Sequence, residues 1–126
     1  MGCDIHVMVE VKTASGWHCF DHPRIDRFYS LFARMANVRN HGDVEPITEP
    51  RGIPADCSEA ARVYLNDDDF HSHSWLSSDE WMSILGDQRY GGARGELSDV
   101  VPWELSDASY RDERFLDYRL VFAFDN

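Results

Sequence analysis

Histidine and aspartate recur two residues apart in two places: Asp4-Ile5-His6 near the start, and Asp69-Phe70-His71-Ser72-His73 about 65 residues later. Alternate side chains of an extended strand point the same way. Asp4 and His6 should therefore share one face, and Asp69, His71 and His73 another. Carboxylate oxygen and neutral imidazole nitrogen together suit a divalent transition metal such as zinc or manganese. With positions left open, such a shell turns bound water into a nucleophile near neutral pH. The expected ligand set is Asp4, His6, Asp69, His71 and His73, with His71, His6 and Asp69 carrying the chemistry. A metal-free version uses His71 or His6 as general base, because imidazole titrates near neutrality. A third reading has no site at all. The histidines then cross-pair within a sheet, Asp67–Asp69 forms a solvated turn, and Ser72 and Ser74 brace His71. The first two readings rest on one geometric claim: the polar face of the first strand meets the Asp69–His71 segment.

Anion recognition has its own candidate in Arg51-Gly52-Ile53-Pro54. An arginine followed by glycine lets backbone approach an anion while the guanidinium forks onto it. Arg39 would assist. The competing reading pairs Arg51 with one of the many surface acids. The run Gly91-Gly92-Ala93-Arg94-Gly95 could close over a ligand, but it fits no phosphate-loop pattern. Cys3 is a nucleophile candidate if His71 activates it. It alternates, however, with the apolar face of the first strand, and a buried thiol is inert.

The elements that must position these groups follow from periodicity. Ile5, Val7, Val9 and Val11 alternate with His6, Met8, Glu10 and Lys12, which predicts a half-buried strand over 4–12. Ala14-Ser15-Gly16 supplies turn chemistry, and Trp17–Phe20 can return as a hairpin partner. Phe28, Leu31, Phe32 and Met35 predict a helix over roughly 26–37, with Asp26 as its cap. Three prolines and two glycines make 38–55 a long irregular loop, a kind of segment that is often functional. Asp56 with Glu59 should open a short helix to Leu65, and Ser77 with Glu80 another that closes at Gly86. Tyr118 to Asp125 alternates as a closing strand, expected beside the first. The fold class that results is α+β, one domain over 1–126. It should have a small, mostly antiparallel sheet holding both terminal strands, about three short helices and long loops.

The net charge is −11, from 23 acids against 12 bases, and Lys12 is the sole lysine. Such a surface repels nucleic acid unless arginines are gathered, so non-specific nucleic-acid binding is not expected. It could instead compete for a basic groove on a host protein. Three cysteines without paired spacing argue for a reducing cytosol rather than a disulfide framework. Neither a signal peptide nor a membrane-spanning run is expected.

Asp-x-His and His-x-His pairs also serve as ligands in calcineurin-like metallophosphoesterases. Of that group's further motifs only Gly42-Asp43 has a counterpart, so the likeness is one of ligand chemistry. A fuller resemblance starts with the opening Met1-Gly2-Cys3-Asp4-Ile5-His6 and Val9-Glu10. It continues through Leu31-Phe32, Val38-Arg39-Asn40, Arg51-Gly52-Ile53-Pro54 with Asp56 and Ser58, Asp69-x-His71-Ser72-x-Ser74-Trp75-Leu76 and the closing Phe124-Asp125-Asn126. With these pieces the chain resembles a family of small phage- and prophage-encoded proteins. The resemblance implies a bacteriophage origin and cytoplasmic action in a bacterial host. It carries over Asp4, His6, Arg51, Asp69 and His71, and holds His73 less firmly. The expectation is a protein that binds, and hydrolyses, a phosphorylated nucleotide-like ligand at a metal-assisted His/Asp site. The alternative is a non-enzymatic acidic inhibitor of a host defence or nucleic-acid-binding protein.

Overall fold

The computed structural model describes residues 2–92, 97, 99–101, 109–110 and 113–126. Most of the Gly91–Gly95 run lies outside the described residues. The fold is α+β. Strand β1 (Asp4–Thr13) pairs antiparallel with β2 (Gly16–Asp21) on one side and with β6 (Asp117–Asp125) on the other, and β3 (His71–Ser77) pairs antiparallel with β6. The sheet order is β2-β1-β6-β3, so both terminal strands sit at its centre, as the alternating patterns predict. A separate pair, β4 (Ser109–Tyr110) and β5 (Glu113–Arg114), forms a second small sheet.

Among the described residues three helices cover the main sheet, α1 (Tyr29–Ala36), α2 (Glu59–Leu65) and α3 (Ser78–Leu85), and a π-helical turn follows at Gln88–Gly92. One face carries the main core. Ile5, Val7 and Val9 of β1, Leu120, Phe122 and Phe124 of β6 and Leu76 of β3 pack there on α1 and α3 through Leu31, Phe32, Met35, Trp81 and Ile84. Burial of each such large side chain stabilises by about 1.5–3 kcal/mol. The opposite face is covered too. Met8 packs on Cys57 and Ala61, while Val121 and Ala123 pack on Leu65. Strand β1 is therefore buried on both faces, not half-buried. The 51–58 segment and α2 fold over the face that alternation alone assigns to polar residues.

That second face holds a buried ion pair. Glu10 is fully buried and accepts from Arg119 Nε at 2.7 Å and from the Ser58 N–H at 2.7 Å. Arg119 reaches Asp56 at 3.0 Å, and its guanidinium stacks on Trp17 at 3.9 Å. This bond takes Asp56 away from capping. Ser58 caps α2 instead, its hydroxyl accepting from the Ala61 N–H at 3.1 Å. Helix α1 also starts later than the periodicity suggests. Phe28 is its cap residue and makes no side-chain cap bond, while Asp26 lies 3.5 Å from Arg24. Helix α3 does open on the expected capping box, with Ser77 and Glu80 bonding reciprocally. The long loop is irregular from Asn37 to Ser58 but well fastened. Arg34 donates to the Glu45 carbonyl, Asn40 brackets Val44 through both its amide atoms, and Asn37 donates to Glu49.

Candidate functional site at the start of the first strand

The two histidine–carboxylate motifs touch through Phe70, whose ring stacks on His6 at 4.2 Å, but among the described residues their histidines and carboxylates do not converge on one point. Residues directly opposite in an antiparallel ladder share a face. His71 lies opposite Phe124, the register slips between His71 and Ser74, and Trp75 then lies opposite Val121. Ser72 takes a positive φ of 55°, the local cost of this bulge. His71 therefore stands on the main-core face, where its ring approaches Phe124 at 6.5 Å. His73 stands on the other face and bonds the Leu65 carbonyl through Nε2 at 2.9 Å. The expectation of one shared face for Asp69, His71 and His73 is thus corrected: it assumed an unbroken two-residue period. His71 is also tied up locally, with Nδ1 on Ser72 Oγ at 2.9 Å and Nε2 in a short contact with Asn126 Oδ1. Asp69 is exposed in a turn, its N–H donating to the Asp67 carboxylate at 2.8 Å.

The anticipated arginine clamp has other work. Arg51 forks onto both Glu80 oxygens at 2.8 and 2.6 Å, donates to the Trp75 carbonyl at 3.0 Å and stacks over the Trp75 ring at 4.5 Å. The Arg51 guanidinium beside Glu80, with the Ser77 N–H, holds the Glu80 carboxyl below its usual range. Gly52 follows with φ of 83°, and its N–H bonds the His73 carbonyl at 2.8 Å. The Arg-Gly pair thus pins the long loop to β3 and α3. Arg39 lies over the Tyr29 ring at 5.4 Å, on the α1 side. Cys3 is fully buried in the main core, and burial pushes its thiol up, which suits an inert packing residue.

Asp4 and His6 do stay together. Both line a cleft of about 670 Å³ at the start of β1, with His22, Arg24, Asp26, Arg27 and Tyr64 as its other polar walls. The volume falls in the range of small-ligand sites. His6 Nε2 bonds Asp125 Oδ2 at 3.0 Å, and its ring stacks on Phe70 at 4.2 Å. No described residue bonds its Nδ1. A carboxylate on one imidazole nitrogen fixes ring orientation and leaves the other nitrogen for acid–base work. Asp4 is held bidentately by Arg27, with Nε and Nη2 at 3.1 and 3.0 Å from its two oxygens. This hydrogen bonding lowers the Asp4 carboxyl from its ordinary range. A Cβ at Gly2 would meet only that guanidinium, the far end of a flexible side chain that can shift aside.

Metal binding fits this arrangement poorly. Among the described residues no three His, Cys, Asp or Glu side chains converge on a metal-sized gap. Of the five expected ligands only Asp4 and His6 share the cleft, and both Asp4 oxygens are occupied by Arg27.

The sequence pattern did not single out Arg24, Arg27, His22, Tyr64 or Asp125. One of them was within reach. With the last strand antiparallel to the first and Asp4 opposite Asp125, parity puts Asp125 on the face of His6. The others arrive through an irregular segment and through α2, and no period marks them. The chain matches no protein-family model, and no curated protein or solved structure is similar to it. No helix among the described residues is long and apolar enough to cross a membrane.

Proposed function

We propose that this protein binds a small phosphorylated, nucleotide-like ligand in the cleft at the start of β1 and hydrolyses it with His6 as general base. The observation that carries the reading is the His6–Asp125 pair in a cleft that also presents Arg24 and Arg27. Each guanidinium has five donors. Arg27 spends two of them on Asp4, and Arg24 is largely exposed beside Asp26. The remaining donors are available to an anion that reaches the cleft. Tyr64 and His22, both in the cleft wall, add aromatic surface suited to a flat base. Resemblance to phage- and prophage-encoded proteins supports a setting inside an infected bacterial cell.

Isothermal titration with adenosine monophosphate and with inorganic phosphate tests the reading. The unsubstituted protein should bind the nucleotide, and Arg24→Ala/Arg27→Ala should weaken binding about tenfold or more, the worth of one or two charge-assisted hydrogen bonds. Arg51→Ala should leave it unchanged, because that guanidinium serves Glu80. Loss of binding in Arg51→Ala alone, or no binding by the unsubstituted protein, would refute the assignment. In the second case the acidic surface, net −11, would favour the host-protein inhibitor, which a host pull-down would detect.

A further inference from the structure

Three basic side chains of the cleft each have an acidic partner. Arg27 forks onto Asp4 through Nε and Nη2 at 3.1 and 3.0 Å, Arg24 lies 3.5 Å from Asp26, and His6 is bonded to Asp125 at 3.0 Å. The Arg27 pair is the bidentate one, and its donor edge, Nε with Nη2, is an edge that a phosphate also takes. The pair is built to exchange. Its two side chains are 49% and 54% exposed, so it is worth no more than about a fivefold change in an equilibrium. The main chain under Arg27 need not move. Residues 22–28 carry no regular secondary structure, but Ile25 anchors them in the main core. The guanidinium itself lies against Gly2, which has no side chain to hold it there. Hydrogen bonding from Arg27 keeps the Asp4 carboxyl below its ordinary range, so Asp4 stays charged near neutral pH and protonation does not release the fork.

We infer that Asp4 is an internal competitor for the cleft: it holds the edge of Arg27 that a phosphate takes, and the ligand binds by displacing it. This deepens the proposed function and rests on it. The exchange is between two anions on one fork. A carboxylate brings one negative charge, and a phosphomonoester near neutral pH brings close to two. The phosphate therefore gains more from the guanidinium than Asp4 loses. Arg27 swings from the start of β1 into the cleft while Ile25 keeps the segment seated. Asp4, already half exposed, passes to water without a burial cost. The donors of Arg27 not spent on Asp4 give the anion its first contact. The arrangement also sets a threshold, since an anion with no more charge than a carboxylate gains little by the exchange.

A double-mutant cycle on affinity separates displacement from general charge repulsion. Adenosine monophosphate is titrated into the unsubstituted protein, Asp4→Asn, Arg27→Ala and Asp4→Asn/Arg27→Ala, and circular dichroism checks that all four fold alike. Asp4→Asn should tighten binding about two- to fivefold, because charge no longer holds the fork. In the Arg27→Ala background the same substitution should lose that gain, since no fork is left to release. The inference is overturned if Asp4→Asn leaves affinity unchanged or weakens it. It is overturned too if the gain persists undiminished when residue 27 is alanine, which is the mark of repulsion alone. In both cases binding by the unsubstituted protein leaves the proposed function standing. If neither the unsubstituted protein nor Asp4→Asn binds the nucleotide, both fail.

Discussion

Arg119→Met is the substitution whose cost the structure fixes most closely. Arg119 is 6% exposed and Glu10 fully buried, so removing the guanidinium strands a carboxylate between the sheet and α2. One other contact to that carboxylate survives, the Ser58 N–H at 2.7 Å. Breaking a buried pair from one side costs about 3–5 kcal/mol. For 126 residues the unfolding entropy near the midpoint is about 0.26 kcal/mol/K, so Tm should fall by about 11–19 °C. Total stability for this length is about 6–19 kcal/mol, so the variant should still fold in the cold. A double variant, Glu10→Leu/Arg119→Met, removes both charges and should recover all but about 1–2 kcal/mol, the residue being the orphaned Ser58 N–H. Thermal unfolding by circular dichroism, with urea titration as a check on ΔG, reads both. A fall of less than about 4 °C in the single variant, or a double variant no better than the single, would refute the claim that this pair anchors α2 to the sheet.

Two further outcomes follow from the same contacts. Glu80→Ala removes the capping-box carboxylate and the Arg51 partner and should cost about 1–2 kcal/mol, measured by urea unfolding. The Glu80 carboxyl is held low in the folded state, so its contribution is present above the unfolded value of about 4.3 and is lost as pH falls through the folded value. The gap between Glu80→Ala and the unsubstituted protein should therefore narrow below about pH 4; a gap independent of pH would contradict the pairing. Under native conditions iodoacetamide should modify Cys19 ahead of Cys3 and Cys57, which are 0% and 8% exposed. In urea all three should react, and mass spectrometry locates the label. Native labelling of Cys3 first would contradict its place in the core.

The sheet was legible because its two central strands alternate without interruption. Ile5–Val11 and Leu120–Phe124 each write one face in a period of two, and antiparallel pairing follows once they lie side by side. Ser77 and Glu80 announced α3 through three-residue spacing that has one physical reading. The site was less legible for a reason that is equally local. His71 and His73 look equivalent in sequence, yet one positive φ at Ser72 sends them to opposite faces. Arg51-Gly52 looks like an anion clamp, but an acid 29 residues away on α3 takes it. Glu10 and Arg119 alternate with apolar neighbours as solvent-facing residues would. Only the fold of the 51–58 segment over them makes them buried. Pairwise long-range choices of this kind leave no periodic trace.

Nuclear magnetic resonance titration with adenosine monophosphate addresses the central claim most directly. Resonances of His6, His22, Tyr64 and Arg27 should shift together and saturate at one affinity, while those of His71, His73 and Arg51 stay in place. Shifts centred on Arg51, His71 and His73, or none at the cleft, would contradict it.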